Sequence, residues 1–386
     1  MDVRTLIDKE KLVKWRRHFH MYPEVSFEEH ETTDYILEQL AKYPEIEVFR
    51  PAKTGVVAVL KGGKSGKTIG LRADIDALPI VEEADVEFKS KNHGVMHACG
   101  HDMHTAMLLG AVDALYKIKD RLCGTVKFIF QHAEELLPGG AAEIVKSGLL
   151  DDVEMFYGSH VNSYLPTGTI GGAIGPIYAN TDSFTINIQG KGAHAAAPHV
   201  GIDSLLIGTE VVQALNFIVS RNVPPSEPAV LTVACFNAGT THNIIPDTAT
   251  IKGTVRSYSP EVRELIERRF KETVNGICAA YGATCHINYA RGYACVDNDE
   301  GLYHMFMDMM PKFLPDVNVG AIKPIMGGED FSAYATIAPA FFGSVGAAPY
   351  DDTKFSAHHP KFIVNEDALP IGCAVYVAFA LEATGS

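Results

Sequence analysis

Apolar positions in the first 160 residues follow two different periods along the chain. Segments 54–62 (TGVVAVLKG) and 67–76 (KTIGLRADID) alternate and are rich in β-branched residues, which predicts two strands. Segment 101–118 (HDMHTAMLLGAVDALYKI) is apolar on almost every side, a pattern typical of a helix buried against a sheet. The next predicted elements are a strand, a helix and a strand, at 124–131, 139–148 and 154–159. This alternation predicts an α/β domain in which helices cover both faces of a mixed sheet.

The pattern changes at about Tyr178. From there to about residue 292 the periods predict the order β-α-β-β-α-β, which is that of a ferredoxin-like unit. We therefore expect residues 1–177 and 293–386 to form the two parts of the α/β domain. Residues 178–292 are expected to form an α+β domain inserted between them.

The length and composition are those of a folded protein with two ordinary domains or one large one. Of the 386 residues, 47% are hydrophobic and 21% are charged, so the chain can build a sizeable core. The formal net charge of −14 argues against nucleic acid or an anionic membrane as the main partner. This charge is compatible with a small-molecule substrate as the main partner.

The cysteines and the N-terminus indicate the compartment. The seven cysteines are scattered without a CxxC pair, as expected for free thiols in a reducing cytosol. The N-terminal segment MDVRTLIDKEKLVKWRRHFH carries charges throughout and lacks the apolar core of a secretory signal. No apolar run reaches membrane-spanning length. These features predict a cytoplasmic protein.

Candidate chemistry is concentrated in residues 97–104 (HACGHDMH), at the start of the predicted buried helix. Cys99 and His101 are potential metal ligands, but a closed structural zinc site needs a second Cys/His pair at close spacing, and none follows. The alternative is a polar loop with Asp102 near the helix N-terminus, where backbone N–H groups favour a carboxylate. The motif is therefore at most half of a metal site.

Other predicted strand ends supply residues for the second half. Open α/β sheets bind ligands outside the carboxyl ends of their strands. Metal-binding side chains follow three further predicted strands, namely Glu134 with Glu135, His160, and His358 with His359. A hydrolytic metal site needs ligands and a separate base that takes a proton from water. The two adjacent glutamates can supply both roles.

Nine motifs between about Arg16 and Glu366 resemble, in order, those of the co-catalytic metallopeptidase superfamily of aminoacylase and glutamate carboxypeptidase. They are RRHFHMYPEVSFEE, LRADIDALP, HACGHDMHTAMLLG, QHAEE…GG, GSHV, GKGAHAAAPH, THNIIPD, GGEDFSAY and HHPKFIVNE. More narrowly, the chain resembles the amidohydrolase branch, which includes hippurate hydrolase, N-acetyldiaminopimelate deacetylase and plant auxin-conjugate hydrolases. The resemblance implies a zinc-exopeptidase-like catalytic domain, an inserted lid or dimerisation domain, and two divalent metal ions.

The resemblance also implies roles for individual residues. Cys99 corresponds to a thiolate that bridges the two ions, and Glu134 corresponds to the general base. The other implied ligands are His101, Glu135, His160 and His358. Asp74 corresponds to an acid that orients a ligand histidine. Asp102 is expected to be a helix cap or a supporting partner rather than a ligand.

Further implied residues belong to substrate binding. In the inserted domain, His194 resembles the histidine that stabilises the oxyanion, often across a dimer. Asn243 and Arg256 match positions that hold the carboxylate or carbonyl of the substrate. The GGEDF motif places Glu329 near the substrate.

Two histidines depart from the family pattern. His132 stands where the family has proline, and His359 stands where it has serine, so both add imidazoles near the implied ions. The motif register favours His358 over His359 as the ligand. Contact of His97 and of His104 with metal or substrate is left open.

The predicted function is metal-dependent hydrolysis of N-acyl amino acids, with acyl groups such as acetyl or benzoyl. The resemblance also suggests a homodimer or homotetramer formed through the inserted domain. The alternatives are a dipeptidase or carboxypeptidase of the same superfamily, a non-catalytic metal- or ligand-binding homologue, and a cysteine hydrolase that uses Cys99 and His101. A bridging thiolate suits zinc, nickel or cobalt, and the carboxylate and imidazole ligands also admit manganese.

Overall fold

The computed structural model describes residues 2–350 and 354–386. They form two units, of which the smaller contains Tyr178–Cys295 and Ile325–Glu329 and the larger contains the rest. The sequence pattern predicts that the inserted domain ends at residue 292 and that residues 325–329 belong to the α/β domain. In the structure Ile325 forms a parallel bridge with Tyr178, and the Ala179 N–H donates to Gly327 O at 2.8 Å. These contacts join the short segment to the smaller unit.

The helices are α1 (Lys9–Met21), α2 (His30–Leu40), α3 (His101–Tyr116), α4 (Ala141–Lys146), α5 (Ser204–Asn222), α6 (Pro260–Ala280), α7 (Glu300–Phe313) and α8 (Ala368–Thr384). The strands are β1 (Glu47–Phe49), β2 (Val56–Lys61), β3 (Lys64–Asp74), β4 (Cys123–Gln131), β5 (Met155–Pro166), β6 (Thr169–Gly172), β7 (Gly175–Tyr178), β8 (Asn180–Gln189), β9 (Ala193–His194), β10 (Ala229–Ala238), β11 (Ile244–Ile245), β12 (Thr248–Ser257), β13 (Thr284–Arg291), β14 (Val296–Asn298), β15 (Asn318–Ala321) and β16 (Ala340–Ala348). Among the described helices, none combines the length and apolarity needed to cross a membrane.

The larger unit is built on an eight-stranded sheet with the order β1-β2-β4-β3-β5-β16-β6-β15. The central strands β4, β3, β5 and β16 are parallel to their neighbours in that series. Antiparallel pairs lie towards the edges, between β1 and β2, β2 and β4, and β16 and β6. The predicted mixed sheet is confirmed, and the parallel centre brings the carboxyl ends of β3, β4 and β5 to one edge.

Helix α3 is buried along almost its whole length, as its all-round apolar pattern predicts. Every residue from His101 to Leu115 is buried. Two glycines allow close helix packing, since a Cβ on Gly110 would lie 2.4 Å from a Leu12 methyl and one on Gly372 would lie 2.3 Å from Met107 Sδ. The contacts with α1 and α8 hold α3 rigidly. Its first residue, His101, therefore has a well-defined position.

Strand β5 is longer than the sequence analysis predicts. The predicted strand ends before His160, whereas β5 continues to Pro166. Pairing with β3 ends at Arg72↔Gly158, but pairing with β16 continues through Ser344↔His160 and Val345↔Val161. His160 therefore lies two residues beyond the last β3–β5 pair, but it is inside β5 and not at its end.

The smaller unit has a four-stranded antiparallel sheet with the order β10-β12-β8-β13. Helices α5 and α6 pack on this sheet around a separate apolar core that includes Ile186, Leu215, Ile251 and Phe270. The chain order β8-α5-β10-β12-α6-β13 confirms the predicted ferredoxin-like arrangement.

Candidate metal centre

A tight turn places Cys99 and His101 at the start of α3. Gly100 is the N-cap residue and has a φ of +94°, a left-handed conformation that glycine adopts without strain. A Cβ on Gly100 would also lie 2.4 Å from Val161 Cγ2, so the turn packs directly against β5. Both constraints require glycine between the two candidate ligands.

His101 has one ring nitrogen fixed by the protein and one without a partner. Its Nδ1 lies 2.9 Å from Asp76 O and 3.2 Å from Asp76 Oδ1, so Nδ1 carries the hydrogen and donates it. Nε2 is buried and has no hydrogen-bond partner. Burial alone would lower the pKa of His101, but the charges of Asp74 and Asp76 raise that pKa to about 10. The surrounding carboxylates therefore favour either a proton or a metal cation on His101 Nε2.

Glu135 presents a second buried atom without a hydrogen-bond partner. Its Oε1 lies 3.9 Å from His101 Nε2 and 3.1 Å from His358 Nε2, within ion-pair distance of both rings. The carboxylate raises the pKa of His358. The Glu135 backbone N–H donates to Asp76 Oδ2 at 3.0 Å, so Asp76 supports both Glu135 and His101. A buried carboxylate oxygen needs positive charge beside it, which either the protonated histidines or a bound cation can supply.

Cys99 and His160, together with His101, Glu135 and His358, form a cluster of five candidate ligands. Cys99 Sγ lies 3.3 Å from His160 Nε2, and His160 Nδ1 donates to Val161 O at 2.7 Å. Burial lowers the pKa of His160 to about 3, so its ring is neutral. Burial, reinforced by Glu135 and Glu134, raises the pKa of Cys99 well above its usual range.

The raised pKa of Cys99 bears on the alternative of a cysteine hydrolase. A nucleophilic cysteine needs a lowered pKa, normally from a neighbouring cation or a helix N-terminus. Although Cys99 lies next to the N-terminus of α3, burial and the nearby carboxylates outweigh this and raise its pKa, so the thiol keeps its proton unless cations bind beside it. The geometry favours Cys99 as a ligand over Cys99 as a nucleophile.

The donor atoms are spaced as metal ligands require. Among the described residues, five groups of three potential donors lie within 4.8 Å of one another, and two of these groups contain Cys99, one with His101 and His160 and one with Glu135 and His358. Ligand bonds of about 2.0–2.3 Å place the donors of one ion within about 4.6 Å of each other. Cys99 belongs to both groups, and thiolate, imidazole and carboxylate donors suit first-row transition metals. The residues present therefore fit a pair of divalent ions.

The acid that orients His101 is Asp76, which the sequence analysis does not single out. The resemblance implies that Asp74 orients a ligand histidine, but its Oδ1 forms a hydrogen bond of 2.6 Å with Nδ1 of His104 instead. His104 Nε2 accepts the Val161 N–H at 2.9 Å, so both nitrogens of His104 are occupied by protein groups. The sequence predicts a strand over 67–76, in which Asp74 and Asp76 would point to the same face, so spacing does not choose between them; in the structure β3 ends at Asp74, and Asp76 lies just beyond it.

Asp102 does not cap α3, in contrast to one of the roles expected for it. Its Oδ2 accepts from Arg16 Nε at 2.8 Å and lies 2.8 Å from His20 Nδ1. Burial opposes ionisation, but Arg16 and His20 hold the pKa of Asp102 far below its usual range. The RRHFH motif therefore attaches α1 to the helix that begins with His101.

The structure distinguishes between the two adjacent histidines His358 and His359. His358 places Nε2 beside Glu135, and its backbone N–H donates to Ala98 O at 2.8 Å. The ring of His359 stacks on Phe355 with centroids 4.5 Å apart, and its Nδ1 accepts the Lys361 N–H. His358 lies at the cluster, and His359 is held by its own loop.

The remaining histidines of the motifs have structural surroundings. His132 Nε2 lies 3.1 Å from Glu143 Oε2, on the side of α4. His97 is buried with no hydrogen-bond partner on either nitrogen, and burial lowers its pKa to about 4. Neither belongs to a group of potential metal donors among the described residues.

Glu29 supports the loop of Glu134 and Glu135, a role that the sequence analysis misses. It is fully buried, and its two oxygens accept the Ala133 N–H and the Thr54 hydroxyl, each at 2.8 Å. Ala133 has a φ of +50°, a left-handed conformation unusual for alanine, so the turn before Glu134 needs this support. No local sequence signal marks a glutamate whose partners are 25 and 104 positions away.

In the smaller unit, two of the predicted substrate residues are neighbours. The antiparallel pair of β9 and β11 sets His194 opposite Ile244, and the Ala195 N–H donates to Asn243 O at 3.1 Å. Arg256 lies on β12 and donates to Val255 O at 2.9 Å. Glu329 is buried in the segment Ile325–Glu329.

Comparison with known proteins identifies relatives over most of the chain. The family model of peptidase family M20/M25/M40 matches residues 70–382. An N-acyl-L-amino acid amidohydrolase of Geobacillus stearothermophilus is 46% identical over 303 residues, which are 78% of this chain and 82% of that protein. An N-acetyl-L-cysteine deacetylase of Bacillus subtilis is 42% identical over 363 residues, which are 94% of this chain and 85% of that protein.

A solved structure agrees with these matches. A Bacillus subtilis protein described as a dinuclear metal binding peptidase of the M20 family superposes with a TM-score of 0.85 at 34% identity, and the match covers 98% of each chain. The superfamily expected from the motifs is thus confirmed. The chain is a hydrolase of amide bonds, and it belongs to peptidase family M20/M25/M40.

Proposed function

We propose that the protein hydrolyses the amide bond of N-acyl amino acids and releases the carboxylic acid and the free amino acid. Two buried atoms carry the proposal, His101 Nε2 and Glu135 Oε1, which lie 3.9 Å apart and have no hydrogen-bond partners. Such a pair is stable when cations bind between protein donors. The amidohydrolase and deacetylase relatives support N-acyl amino acids as the substrate class.

Five residues are proposed to hold two divalent ions, and Cys99 belongs to both groups of donor atoms. The other four ligands are His101, Glu135, His160 and His358. The thiolate favours zinc, nickel or cobalt, and the remaining ligands also admit manganese. When bound, the ions supply Lewis acidity that lowers the pKa of water and polarises a carbonyl group.

Glu134 is proposed to be the proton carrier. It is buried beside Glu135, and its carboxylate lies within 4.8 Å of donor atoms of His101 and Glu135. Glu135 is fixed through Asp76, so the two neighbouring carboxylates have separate tasks. Glu134 takes a proton from the attacking water and delivers it to the amide nitrogen as that bond breaks.

Residues of the smaller unit are proposed to bind the substrate. His194 Nδ1 accepts the Ala196 N–H at 3.0 Å, so Nε2 carries the hydrogen and can donate to the oxyanion. Asn243 and Arg256 are proposed to bind the substrate carboxylate or carbonyl, and Glu329 to lie near the substrate. The hydrogen on His194 Nε2 would stabilise the negative charge that develops on the carbonyl oxygen in the transition state.

We also propose that the protein is a cytoplasmic dimer or tetramer that associates through the smaller unit. The seven cysteines are free thiols, as a reducing compartment maintains them. Sedimentation velocity at assay concentrations measures the assembly state. A fully active monomer would contradict a role for His194 in the site of a partner subunit.

The decisive experiment compares substrates that differ in one group. Metal-free protein is reloaded with Zn²⁺, Mn²⁺, Co²⁺ or Ni²⁺, and kcat/KM is measured for N-acetyl-leucine and glycyl-leucine, which differ by a terminal amine. N-benzoyl and longer N-acyl amino acids extend the series. We expect the N-acyl compounds to be the better substrates and the metal-free protein to be inactive. Preference for glycyl-leucine would indicate a dipeptidase, and full activity without metal would indicate a cysteine hydrolase.

A further inference from the structure

His104 is a buried histidine of α3 that lies beside the cluster but outside the proposed ligand set. Its Nδ1 lies 2.6 Å from Asp74 Oδ1, and its Nε2 lies 2.9 Å from the backbone nitrogen of Val161. The side chains of His104 and Asp74 are 1% and 0% exposed, so water does not compete for these bonds. The histidine therefore joins the end of β3 to the middle of β5.

The two bonds define which nitrogen of His104 carries the hydrogen. A backbone N–H can only donate, so Nε2 accepts from Val161 and carries none. Nδ1 then donates to Asp74 Oδ1, and Asp74 Oδ2 accepts from Arg72 Nη1 at 2.8 Å. Both nitrogens are occupied, so His104 has no lone pair left for a metal ion.

Val161 needs this acceptor because its strand neighbour has ended. Pairing between β3 and β5 stops at Arg72↔Gly158, and His104 Nε2 takes the Val161 N–H where a strand carbonyl would otherwise accept it. The carbonyl of Val161 accepts the hydrogen of His160 Nδ1 at 2.7 Å. That bond leaves His160 Nε2 free of hydrogen and 3.3 Å from Cys99 Sγ.

We infer that His104 is a positioning residue, which holds the Val161 backbone so that His160 presents Nε2 to the metal centre. This role depends on the proposed function, since it requires His160 to ligate an ion there. Without the acceptor on His104, a buried N–H is left unpaired and the backbone of Val161 shifts to find a partner. The ring of His160 moves with Val161 through its Nδ1 bond. Loss of such a supporting partner lowers metal affinity by about 10–100-fold.

The test titrates Co²⁺ into the metal-free protein and three His104 variants, and a competing chelator dye gives the dissociation constant of each ion. His104→Gln places an amide oxygen near the position of Nε2, so it can still accept from Val161. His104→Asn places its amide near the position of Nδ1 and does not reach Val161. His104→Phe keeps a flat ring and removes both bonds.

We expect the dissociation constant of one Co²⁺ to rise by about 10–100-fold in His104→Phe and His104→Asn, and by less than about threefold in His104→Gln. Two ions still bind in every variant. His18→Gln is the matched control, because His18 is a partly buried histidine that stacks on Tyr35 instead of contacting the cluster. It should bind Co²⁺ as the parent protein does.

Several results would overturn the inference. Unchanged affinity in His104→Phe would show that Val161 and His160 hold their positions alone, and equal losses in all three His104 variants would indicate general packing. Binding of one ion instead of two in His104→Gln would make His104 a ligand. If His104→Phe fails to fold by circular dichroism, the Gln and Asn variants still decide. Two bound Co²⁺ without hydrolysis by the parent protein would refute the proposed function and leave the positioning role standing.

Discussion

Glu134 and Glu135 are adjacent in the chain but have different surroundings. Glu135 is anchored by its backbone N–H to Asp76, and its Oε1 lies between His101 and His358. Glu134 is 6% exposed, and one of its carboxylate oxygens lies within 4.8 Å of potential ligand atoms of His101 and Glu135. Neighbouring carboxylates with separate environments can divide the tasks of ligand and proton carrier.

Replacing each glutamate by its amide should therefore give different losses. In Glu134→Gln the amide keeps the shape but cannot take a proton, so we expect kcat to fall by about 10²–10⁴-fold while the bound metal stays at the parent level. In Glu135→Gln the loss of a charged ligand should remove metal as well as activity. Elemental analysis and steady-state kinetics measure both quantities. Substantial turnover in Glu134→Gln, or metal loss equal to that of Glu135→Gln, would contradict the assignment.

Single residues of the cluster differ in how well the sequence predicts them. Cys99, His101 and His358 stand in motifs with metal-binding side chains, and the structure brings them together. Asp76 and Glu29 are ordinary acids in the sequence, and their roles come from distant hydrogen-bond partners. Side-chain type and spacing predict donors, whereas the groups that orient donors depend on the packed backbone.

At the scale of elements, α1 holds the start of α3 through a buried arginine. The Arg16 guanidinium donates to Asp102 Oδ2 at 2.8 Å and to Glu366 Oε1 at 3.2 Å, and the side chain is 2% exposed. Arg17, its neighbour on α1, donates to Glu366 at 2.7 Å but is 41% exposed. The two arginines thus form a matched pair, of which one is buried and one is at the surface.

Replacing these arginines by methionine should have unequal effects on stability. Arg16→Met leaves the carboxylate of Asp102 buried without its main cation, so we expect a loss of about 3–5 kcal/mol in the free energy of unfolding. Arg17→Met removes a surface ion pair, and the expected loss is about 0–1 kcal/mol. Urea denaturation followed by circular dichroism measures both. Similar losses would mean that Asp102 finds other partners when Arg16 is absent.

The elements themselves are largely predictable, and the exceptions have a physical cause. The buried pattern of α3 and the alternation of β2 and β3 identify these elements directly. The extension of β5 beyond His160 is not predicted, because it depends on pairing with β16, a strand about 180 positions later in the chain. The segment Ile325–Glu329 joins the smaller unit through the same kind of distant contact.

For the whole molecule, the two units arise from two different patterns in one chain. The α/β pattern is interrupted by a complete ferredoxin-like order, and each unit has its own apolar core. The cluster of candidate ligands belongs to the larger unit, with ligands drawn from both sides of the insertion, as Glu135 and His358 illustrate. Metal binding therefore connects parts of the larger unit that are remote in sequence, and removing metal should lower its stability.

Proton binding by the metal-free centre determines how the metal affinity depends on pH. The pKa of His101 is raised to about 10 and that of Cys99 is raised well above its usual range, so both hold protons at neutral pH. The proton on His101 stabilises the metal-free fold fully below a pH of about 6.5, and this contribution is lost as the pH rises through about 10. A metal ion must displace these protons, because thiolate and neutral imidazole are the ligating forms.

The apparent affinity for Zn²⁺ should therefore rise with pH, by roughly tenfold per pH unit for each proton released. Calorimetric titrations between about pH 6 and about pH 8 measure the affinity, and repeating them in buffers with different ionisation enthalpies counts the protons. At a fixed Zn²⁺ concentration the thermal midpoint of unfolding should also rise with pH, because tighter binding to the folded state stabilises it further. His18→Gln serves as a control, since its ring stacks on Tyr35 outside the cluster. If the affinity does not change over this range and no protons are released, the metal does not displace protons from His101 and Cys99.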